Sequence, residues 1–393
     1  RKTKREIHAI CLQETHFLPT DRYDFNLHNY TSYNCYSVAE RRQGGACIYV
    51  SNNSSHFQIQ LNTELQAVAC SIRTGTSRLC VCSLYLPPND PLTIHALNGL
   101  ISQLPSPFLI CADANSRHLL WGSDRCDSRG NIWEKVIQDH ALNVVNTGCP
   151  TRLDEYTGFW SHIDITISSS TLGPHLDWRT ADDLYASDHC PILITYQYSR
   201  EREATEQTHI RWNLSKANWT EFSEKCDIVF DEAEGHRNCE LMTQNIMNAA
   251  HETIPKKSGK GRYNCPWWTD ECKEVIEQRE RALNRFRRSR QYILLLEYKR
   301  AKAKARQVIR KAKKDSWQKL LEQFNHTTPV NYLWDIIRRF TMKERFQRPL
   351  PVLTVNGHII DDPLEVGNTM GRFFSGICSS DNCKVLDSFR LSS

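Results

Sequence analysis

Seven short apolar runs in the first 200 residues constrain the fold more than any other feature of the chain. Gly, Pro, Asn and Ser separate the runs, and several lack the strict alternation of a half-exposed strand. Such runs are typical of strands buried on both faces in a layered α/β domain. They read IHAICLQ, GACIYV, QAVACSI, RLCVCSLYL, PFLICAD, IDITIS and PILITY. With helices predicted at about 91–104 and 129–140, residues 1–200 are expected to form one α/β domain.

The remainder of the chain has a helical pattern. SKANWTEFSEKCDIVFDE predicts a helix with a Ser cap, and PWWTDECKEVIEQRERALNRFRRS predicts one that starts near Pro266 with Thr269 or Asp270 assisting the cap. A third helix is predicted from an apolar stripe at helical spacing that runs from Tyr298 to Ala312. The tail predicts a small hairpin or loop before a last helix. We therefore expect a helical basic connector at 201–345 and a further segment at 346–393.

Charge divides the chain in the same place. Residues 1–200 hold 16 Lys or Arg and 19 Asp or Glu, whereas the window 273–314 holds 16 Lys or Arg and only 4 Glu. Clustered cations neutralise phosphates, so this window predicts RNA or DNA contact; the alternative is a solvated helix face. No apolar run approaches the roughly 18 residues of a membrane span. The 16 cysteines lie largely in apolar runs without a signal peptide, which favours a reduced, intracellular chain.

Five stretches of the first half place polar residues at the ends of predicted strands. CLQETH supplies Glu14, SLYLPPN supplies Tyr85, and ICADANSRHLLWGS supplies Asp113 and Asn115; HIDITIS supplies Asp164, and SDHCPI supplies Asp188 and His189. Taken singly, each residue has an ordinary structural explanation such as a cap, a turn or a packed aromatic. Five such stretches in one domain predict a shared site.

The chemistry of this set is coherent. Carboxylates with one His, one Asn and one Tyr suit a hard cation, Mg²⁺ or Mn²⁺, rather than zinc. Such a cation can neutralise a phosphate, a His held by a carboxylate can act as base or bind the phosphate, and Asn and Tyr can donate hydrogen bonds to its oxygens. The set predicts hydrolysis of a phosphodiester or a phosphomonoester.

The same residues carry a resemblance. QETH, ADANSRHLLWGS, HIDITIS and SDHCPI resemble the endonuclease/exonuclease/phosphatase superfamily, and more narrowly the apurinic-endonuclease-like domain of jockey-type non-LTR retrotransposon polyproteins. The segment from RWNLSKANWTEF to ARQVIRKAKKDSWQKLLEQFN resembles the helical connector that these polyproteins place before their reverse transcriptase. The resemblance implies two packed mixed β-sheets flanked by helices, an α-β-β-α sandwich, followed by a mostly helical basic region.

The resemblance also implies a role for each residue of the set. Glu14 would hold Mg²⁺ with help from Asp188, and Asp113 would handle a proton of the attacking water or the leaving group. Tyr85 and Asn115 would bind the scissile phosphate. His189 would contact that phosphate or act as base, with Asp164 orienting its ring. The implied activity is nicking of a DNA target in the nucleus to leave a 3′-hydroxyl primer, with element RNA as a further ligand of helices 273–314 and a reverse transcriptase domain downstream.

One departure and three alternatives belong beside this hypothesis. The family begins with a strand that carries a functional Asn, whereas here Arg1 comes directly before the strand of Glu14. The first strand of the family is therefore expected to be missing, and the activity of the fragment is expected to be reduced. A truncated, inactive nucleic-acid-binding fragment and a phosphoesterase for a small phosphoester are the alternative functions. Ala181-Asp182-Asp183 resembles a reverse transcriptase metal motif, but its place just before SDH predicts an acidic loop instead.

Overall fold

The apolar runs of the first half form the strands of two packed sheets in the computed structural model. The structure describes residues 7–19, 27–36, 43–75, 77–185, 187–197, 212–226, 235–256, 267–324, 328–331, 333–334 and 350–378. The strands of the first half are β1 (Ala9–Gln13), β2 (Tyr30–Cys35), β3 (Ala46–Ser51), β4 (His56–Ile59), β5 (Gln66–Thr74), β6 (Ser77–Tyr85), β7 (Phe108–Asp113), β8 (Asn143–Val144), β9 (Arg152–Leu153), β10 (Trp160–Ser161), β11 (Asp164–Ser168), β12 (Leu176–Thr180) and β13 (Ile192–Tyr196). Every predicted run of this half overlaps one of these strands.

A six-stranded sheet in the order β4-β5-β6-β7-β11-β8 forms the centre of the domain. The β6–β7 pair is parallel, and the other pairs of this sheet are antiparallel. Helices α1 (Ile94–Ile101) and α2 (Ser128–Asp139) cover one face of it, where Leu97 and Trp133 are fully buried in the core. Both helices match the predicted positions. Each begins after a capping side chain, because Thr93 accepts a hydrogen bond from the Ala96 amide and Asp127 accepts one from the Gly130 amide.

The opposite face of this sheet packs on a second layer of strands. That layer contains the three-stranded sheet β1-β3-β2 and the pair β12-β13, which share one apolar core with the central sheet. Strand β3 is buried along its whole length. The predicted fold class, two packed sheets with helices, is confirmed. Within the described residues, β1 pairs with β3 alone and β13 with β12 alone, while the expected upstream strand stays a prediction.

The second half is mostly helical, as predicted. It contains α3 (Trp219–Cys226), α4 (Gly235–Thr253), α5 (Asp270–Ser289), α6 (Tyr292–Leu321), the hairpin β14 (Leu353–Val355) and β15 (His358–Ile360), and α7 (Pro363–Ile377). The predicted Ser cap of α3 is wrong, since Ser215 lies in a preceding 3₁₀ turn and the Asn218 side chain accepts from the Glu221 amide. Thr269 caps α5 by accepting from the Cys272 amide, whereas Pro266 lies outside the described residues.

The compact units do not coincide with the change in sequence pattern. One unit contains residues 1–199 and 269–393, and the other contains residues 200–268. In the first unit, Asp361 beside β15 accepts from Arg73 at 2.7 Å and also pairs with Arg78 of β6. In the second unit, Lys225 of α3 pairs with Glu252 of α4. The domain boundaries at 200 and 345 stay predictions.

Helix length and polarity bear on membrane insertion. In the described part of the chain, none of the helices combines the length and the apolar character that a membrane crossing requires.

Candidate active site

Three neighbouring strands end at one point of the central sheet and carry three of the predicted residues. Tyr85, the last residue of β6, is in register with Asp113, the last residue of the parallel strand β7. Asp164, the first residue of the antiparallel strand β11, is in register with the same Asp113. All three residues are buried. Strand pairing therefore fixes a row of Tyr85, Asp113 and Asp164 that needs no loop to assemble it.

His189 approaches this row from the loop before β13. Its Nδ1 lies 3.0 Å from each carboxylate oxygen of Asp164, and its Nε2 lies 4.0 Å from Oδ2 of Asp113. The loop is held by β9, because the Leu153 amide donates to the Asp188 carbonyl at 2.8 Å and the Cys190 amide donates to the Thr151 carbonyl at 2.6 Å. Asp164 thus orients the imidazole so that Nε2 points toward Asp113.

Burial and charge shift the pKa values of this pair upward. Burial raises the pKa of Asp113 to about 7, and the negative charge of Asp164 adds to the effect. Burial alone would lower the pKa of His189, but the hydrogen bond with Asp164 and the charges of Asp164 and Asp113 raise it to about 9. At neutral pH, His189 is therefore a cation beside a carboxyl group that can gain or lose a proton.

Glu14 joins the row through Tyr85. The Tyr85 hydroxyl donates to Oε1 of Glu14 at 2.6 Å, and burial followed by this hydrogen bond raises the pKa of Tyr85. Glu14 follows β1 with a left-handed φ of 52°. The preceding Gln13 anchors that strand end, since its Nε2 donates to Ser83 Oγ and to the Cys111 carbonyl. The structure therefore brings Glu14 to the end of the sheet that carries Tyr85, Asp113 and Asp164.

Asn115 and Asp188 have their own partners in the structure. Asn115 has a left-handed φ of 44°, its amide donates to Oδ1 of Asp113 at 3.3 Å, and its side-chain Nδ2 donates to the Leu86 carbonyl at 3.2 Å. Asp188 accepts from Nε of Arg152 at 2.9 Å and has a half-exposed side chain. The adjacent residues Asp188 and His189 thus point to different partners, as their sequence position predicts.

One group of metal-capable side chains lies within these residues. Among the described residues, Asp113, Asp164 and His189 have potential ligand atoms within 4.8 Å of one another. The predicted ligands Glu14 and Asp188 are not in that group. Their assignment as metal ligands stays a prediction, and the structure adds the three clustered side chains as further candidates.

Two further residues hold the site together, and neither was singled out from the sequence. The Arg129 guanidinium donates to four backbone carbonyls, those of Leu86, Pro87, Asp90 and Ala114, and so ties the loop after β6 to the loop after β7. Trp121 is fully buried and donates to the carbonyls of Ser116 and His162. Trp121 belongs to the stretch NSRHLLWGS, and the resemblance of that stretch could have indicated a role for Trp121 at the site. The sequence around Arg129 does not indicate its role.

The first half of the chain is thus a layered α/β fold with a cluster of acidic residues and a histidine at one end of its central sheet, and comparison with known proteins shows what it is similar to. Residues 79–193 match the family model described as endonuclease-reverse transcriptase. The match contains Tyr85, Asp113, Asn115, Asp164 and His189.

Relatives extend the similarity along the chain. It is 25% identical over 372 residues to the probable RNA-directed DNA polymerase from transposon X-element of Drosophila melanogaster, which covers 90% of this chain and 39% of that protein. It is 22% identical over 267 residues to the RNA-directed DNA polymerase from mobile element jockey of the same species, with 64% and 28% covered. The chain thus spans about two fifths or less of these relatives. The resemblance to the endonuclease domain of non-LTR retrotransposon polyproteins is confirmed.

Among solved structures, the endonuclease domain of TRAS1, a telomere-specific non-LTR retrotransposon, is similar to this chain. The two are 22% identical with a TM-score of 0.40, and the match covers 44% of this chain and 83% of that domain. The AP endonuclease LMAP from Leishmania major has a TM-score of 0.39 at 15% identity, with 49% and 78% covered.

Proposed function

We propose that this endonuclease domain nicks target DNA by Mg²⁺-dependent phosphodiester hydrolysis and leaves a 3′-hydroxyl primer for target-primed reverse transcription of a non-LTR retrotransposon. One observation carries the proposal: the register of β6, β7 and β11 aligns Tyr85, Asp113 and Asp164, and His189 is hydrogen-bonded to the last of them. This row offers acid, base and hydrogen-bond donors at one end of the central sheet.

The protonation states suggest how these residues share the work. His189, with a pKa of about 9, is a cation at neutral pH and contacts the phosphate as a charged donor through Nε2. Asp113, with a pKa of about 7, exchanges a proton with the attacking water or the leaving oxygen. Asp164 orients the His189 ring, and Tyr85 and Asn115 are placed to donate to phosphate oxygens.

The acidic residues of the site suit a hard cation. Glu14, Asp113 and Asp164 offer oxygen ligands at one end of the sheet. Burial, followed by the negative charge of Asp164, raises the pKa of Asp113, and a cation bound nearby would counteract both effects. Glu14 with Asp188 is the predicted Mg²⁺ ligand pair, with Mn²⁺ as a substitute. When bound, the cation supplies charge neutralisation to the phosphate.

The partners and the place of action follow from the relatives as proposals. DNA is the substrate, a reverse transcriptase domain follows in the same polyprotein, and the reaction takes place in the nucleus. Element RNA is a second proposed ligand of the basic helices 273–314. The support for nucleic-acid contact by these helices is their surplus of 16 Lys or Arg over 4 Glu.

Plasmid nicking tests the proposal. Supercoiled DNA is incubated with Mg²⁺, Mn²⁺ or EDTA, using this chain and a version extended upstream by the preceding segment of the polyprotein. We expect nicking with either cation and none with EDTA, and a loss of at least about 100-fold in His189→Ala and Asp113→Asn. A DNA polymerase should extend the nick without phosphatase treatment if the end is a 3′-hydroxyl.

A matched histidine provides the control. His140 is exposed at the end of α2 and contacts Asn98, so His140→Ala should nick as fast as the parent. Equal nicking by His189→Ala would remove the proposed role of that residue. Absence of nicking by both parent versions, with folding verified by circular dichroism, would contradict the endonuclease proposal.

A further inference from the structure

The hairpin of α5 and α6 is part of the same compact unit as the endonuclease domain and is docked beside its site. Leu283, Phe286, Leu295 and Tyr298 of the hairpin share a buried apolar cluster with residues of β9, β10 and the loop that precedes β13. Those partners are Leu153, Trp160, Leu184 and Cys190. The docked hairpin therefore has a defined position relative to the catalytic loop.

Polar contacts fix the turn end of the hairpin in particular. The Arg287 guanidinium donates to the carbonyls of Asp182 at 2.8 Å and Ala181 at 3.2 Å, and its Cζ lies 5.1 Å from the centre of the Trp160 ring. Arg290 closes α5 with a left-handed φ of 52°, and its amide donates to the carbonyl of the fully buried Phe286 at 2.8 Å. The backbone of Arg290 is thus held by buried neighbours, while its side chain is exposed.

A groove of about 190 Å³ lies where this turn meets the endonuclease domain. Arg290 lines one side, Arg117 and His162 line another, and the half-exposed Phe159 stands at it. In the part of the chain that the structure describes, neither guanidinium has an ion-pair or hydrogen-bond partner. The one acidic residue of the lining is Asp124, so the groove has a net positive charge.

Two residues that line the groove lie close along the chain to the row of Tyr85, Asp113 and Asp164. Arg117 follows Asp113 by four residues, and His162 precedes Asp164 by two. Trp121 Nε1 and Ser123 Oγ both donate to the His162 carbonyl, so these two segments are bound to each other. Four residues span at most about 14 Å, and a DNA strand advances about 3.4 Å per nucleotide, so Arg117 lies within about four nucleotides of a phosphate at Asp113.

We propose that Arg117 and Arg290 bind one backbone phosphate of the cut DNA strand, within about four nucleotides of the scissile phosphate. The α5–α6 hairpin is then part of the DNA-binding surface of the endonuclease rather than only a linker. The proposal rests on the proposed function for the identity of the substrate and adds a subsite to it. Two unpaired guanidiniums facing one groove provide the bidentate, charge-assisted donors that a phosphate accepts.

Equilibrium binding tests the subsite without cleavage. Fluorescence anisotropy with a labelled 30-base-pair duplex in EDTA compares the full chain with Arg117→Gln, Arg290→Gln and the double variant over a series of salt concentrations. Each single variant should raise Kd by about 5-fold or more. The slope of log K against log salt should fall by about 0.9 in the double variant, the value for one lost phosphate contact. Lys135→Gln, the control, removes the charge of an exposed side chain on α2, outside the 273–314 window, and should leave Kd and slope unchanged.

The outcomes separate the subsite from the proposed function. Unchanged Kd in both variants, or an effect of one arginine without the other, would overturn the shared site, provided that melting temperatures equal that of the parent. A larger loss of binding to duplex RNA than to DNA would overturn the assignment to DNA. A chain that binds DNA through both arginines but never nicks plasmid would leave the subsite standing and contradict the endonuclease proposal.

Discussion

The ion pair of Arg279 and Asp183 offers the sharpest test of how the α5–α6 hairpin is joined to the α/β domain of the first half. Arg279 lies on α5 and Asp183 in the loop between β12 and His189, and their side chains are 9% and 6% exposed. The sequence predicted an acidic loop at this place, and the structure shows one of its carboxylates buried against the helix. Arg279→Met keeps much of the apolar length of the side chain and removes its charge.

The structure sets the expected magnitude. Without Arg279, Asp183 stays buried with an uncompensated charge, and its Oδ1 already has no hydrogen-bond partner. Removing one member of a buried pair costs about 3–5 kcal/mol of unfolding free energy. At about 2–4 °C per kcal/mol for a domain of this size, the melting temperature should fall by about 6–20 °C.

Calorimetry and urea titration measure this loss, and two variants control it. Arg281→Met changes an exposed arginine of the same helix and should stay within about 0.5 kcal/mol of the parent. The double variant Arg279→Met/Asp183→Leu removes both charges and should regain most of the loss, because an apolar pair replaces the ion pair. A parent-like melting temperature in Arg279→Met, or a double variant no better than the single one, would refute the reasoning.

Three further predictions concern single contacts. Tyr85→Phe removes the hydrogen bond to Glu14, so plasmid nicking should slow by about 10-fold or more while the melting temperature stays close to that of the parent. Burial lowers the pKa of His56 to about 4, so the folded state favours the neutral imidazole. This contribution to the free energy of unfolding is complete above pH 6.5 and is lost as the pH falls toward 4. A pKa shift of this size corresponds to about 3 kcal/mol, which partial solvent screening reduces to on the order of 2 kcal/mol. Urea titrations should therefore show that the free energy of unfolding falls less between pH 7 and pH 5 in His56→Asn than in the parent. Equal decreases in the two proteins would contradict this prediction. Trp121→Phe removes the indole donor to the His162 carbonyl, so calorimetry should show a decrease of about 1–3 kcal/mol in the free energy of unfolding, and plasmid nicking should be slower. A change in only one of these two measurements would contradict the prediction.

The sequence was sufficient for the strands and for most of the site because both depend on local patterns. An apolar run such as FLICAD must be buried, and the Asp113 that ends it must lie at the sheet edge. Once β6, β7 and β11 are neighbours, Tyr85, Asp113 and Asp164 are aligned by register alone. The site was therefore predictable from which residues end the strands.

Contacts between distant segments were not predictable in the same way. Arg129 bonds carbonyls that lie 15 to 43 positions away, and Arg279 pairs with a residue 96 positions away. An amphipathic stripe shows that a helix face is buried, but it does not show which surface buries it. For this reason the sequence predicted a helical basic region distinct from the α/β domain of residues 1–200, and it did not indicate that residues 269–393 lie in the same compact unit as 1–199.

Burial decides what each basic residue of the 273–314 window does. Arg279 and Lys302 are buried and each pairs with an acidic residue of the first half, Asp183 and Glu155, so their charge stabilises the docked hairpin. Arg281 is exposed, so its charge is available to solvent or to a nucleic acid. Because the pairs cross from hairpin to domain, deleting the hairpin would leave the buried Asp183 without its cation and the apolar cluster of Leu153, Trp160, Leu184 and Cys190 uncovered. A fragment ending at residue 199 should therefore bind more of a hydrophobic dye and melt lower than the full chain, even though Tyr85, Asp113, Asp164 and His189 all lie within it.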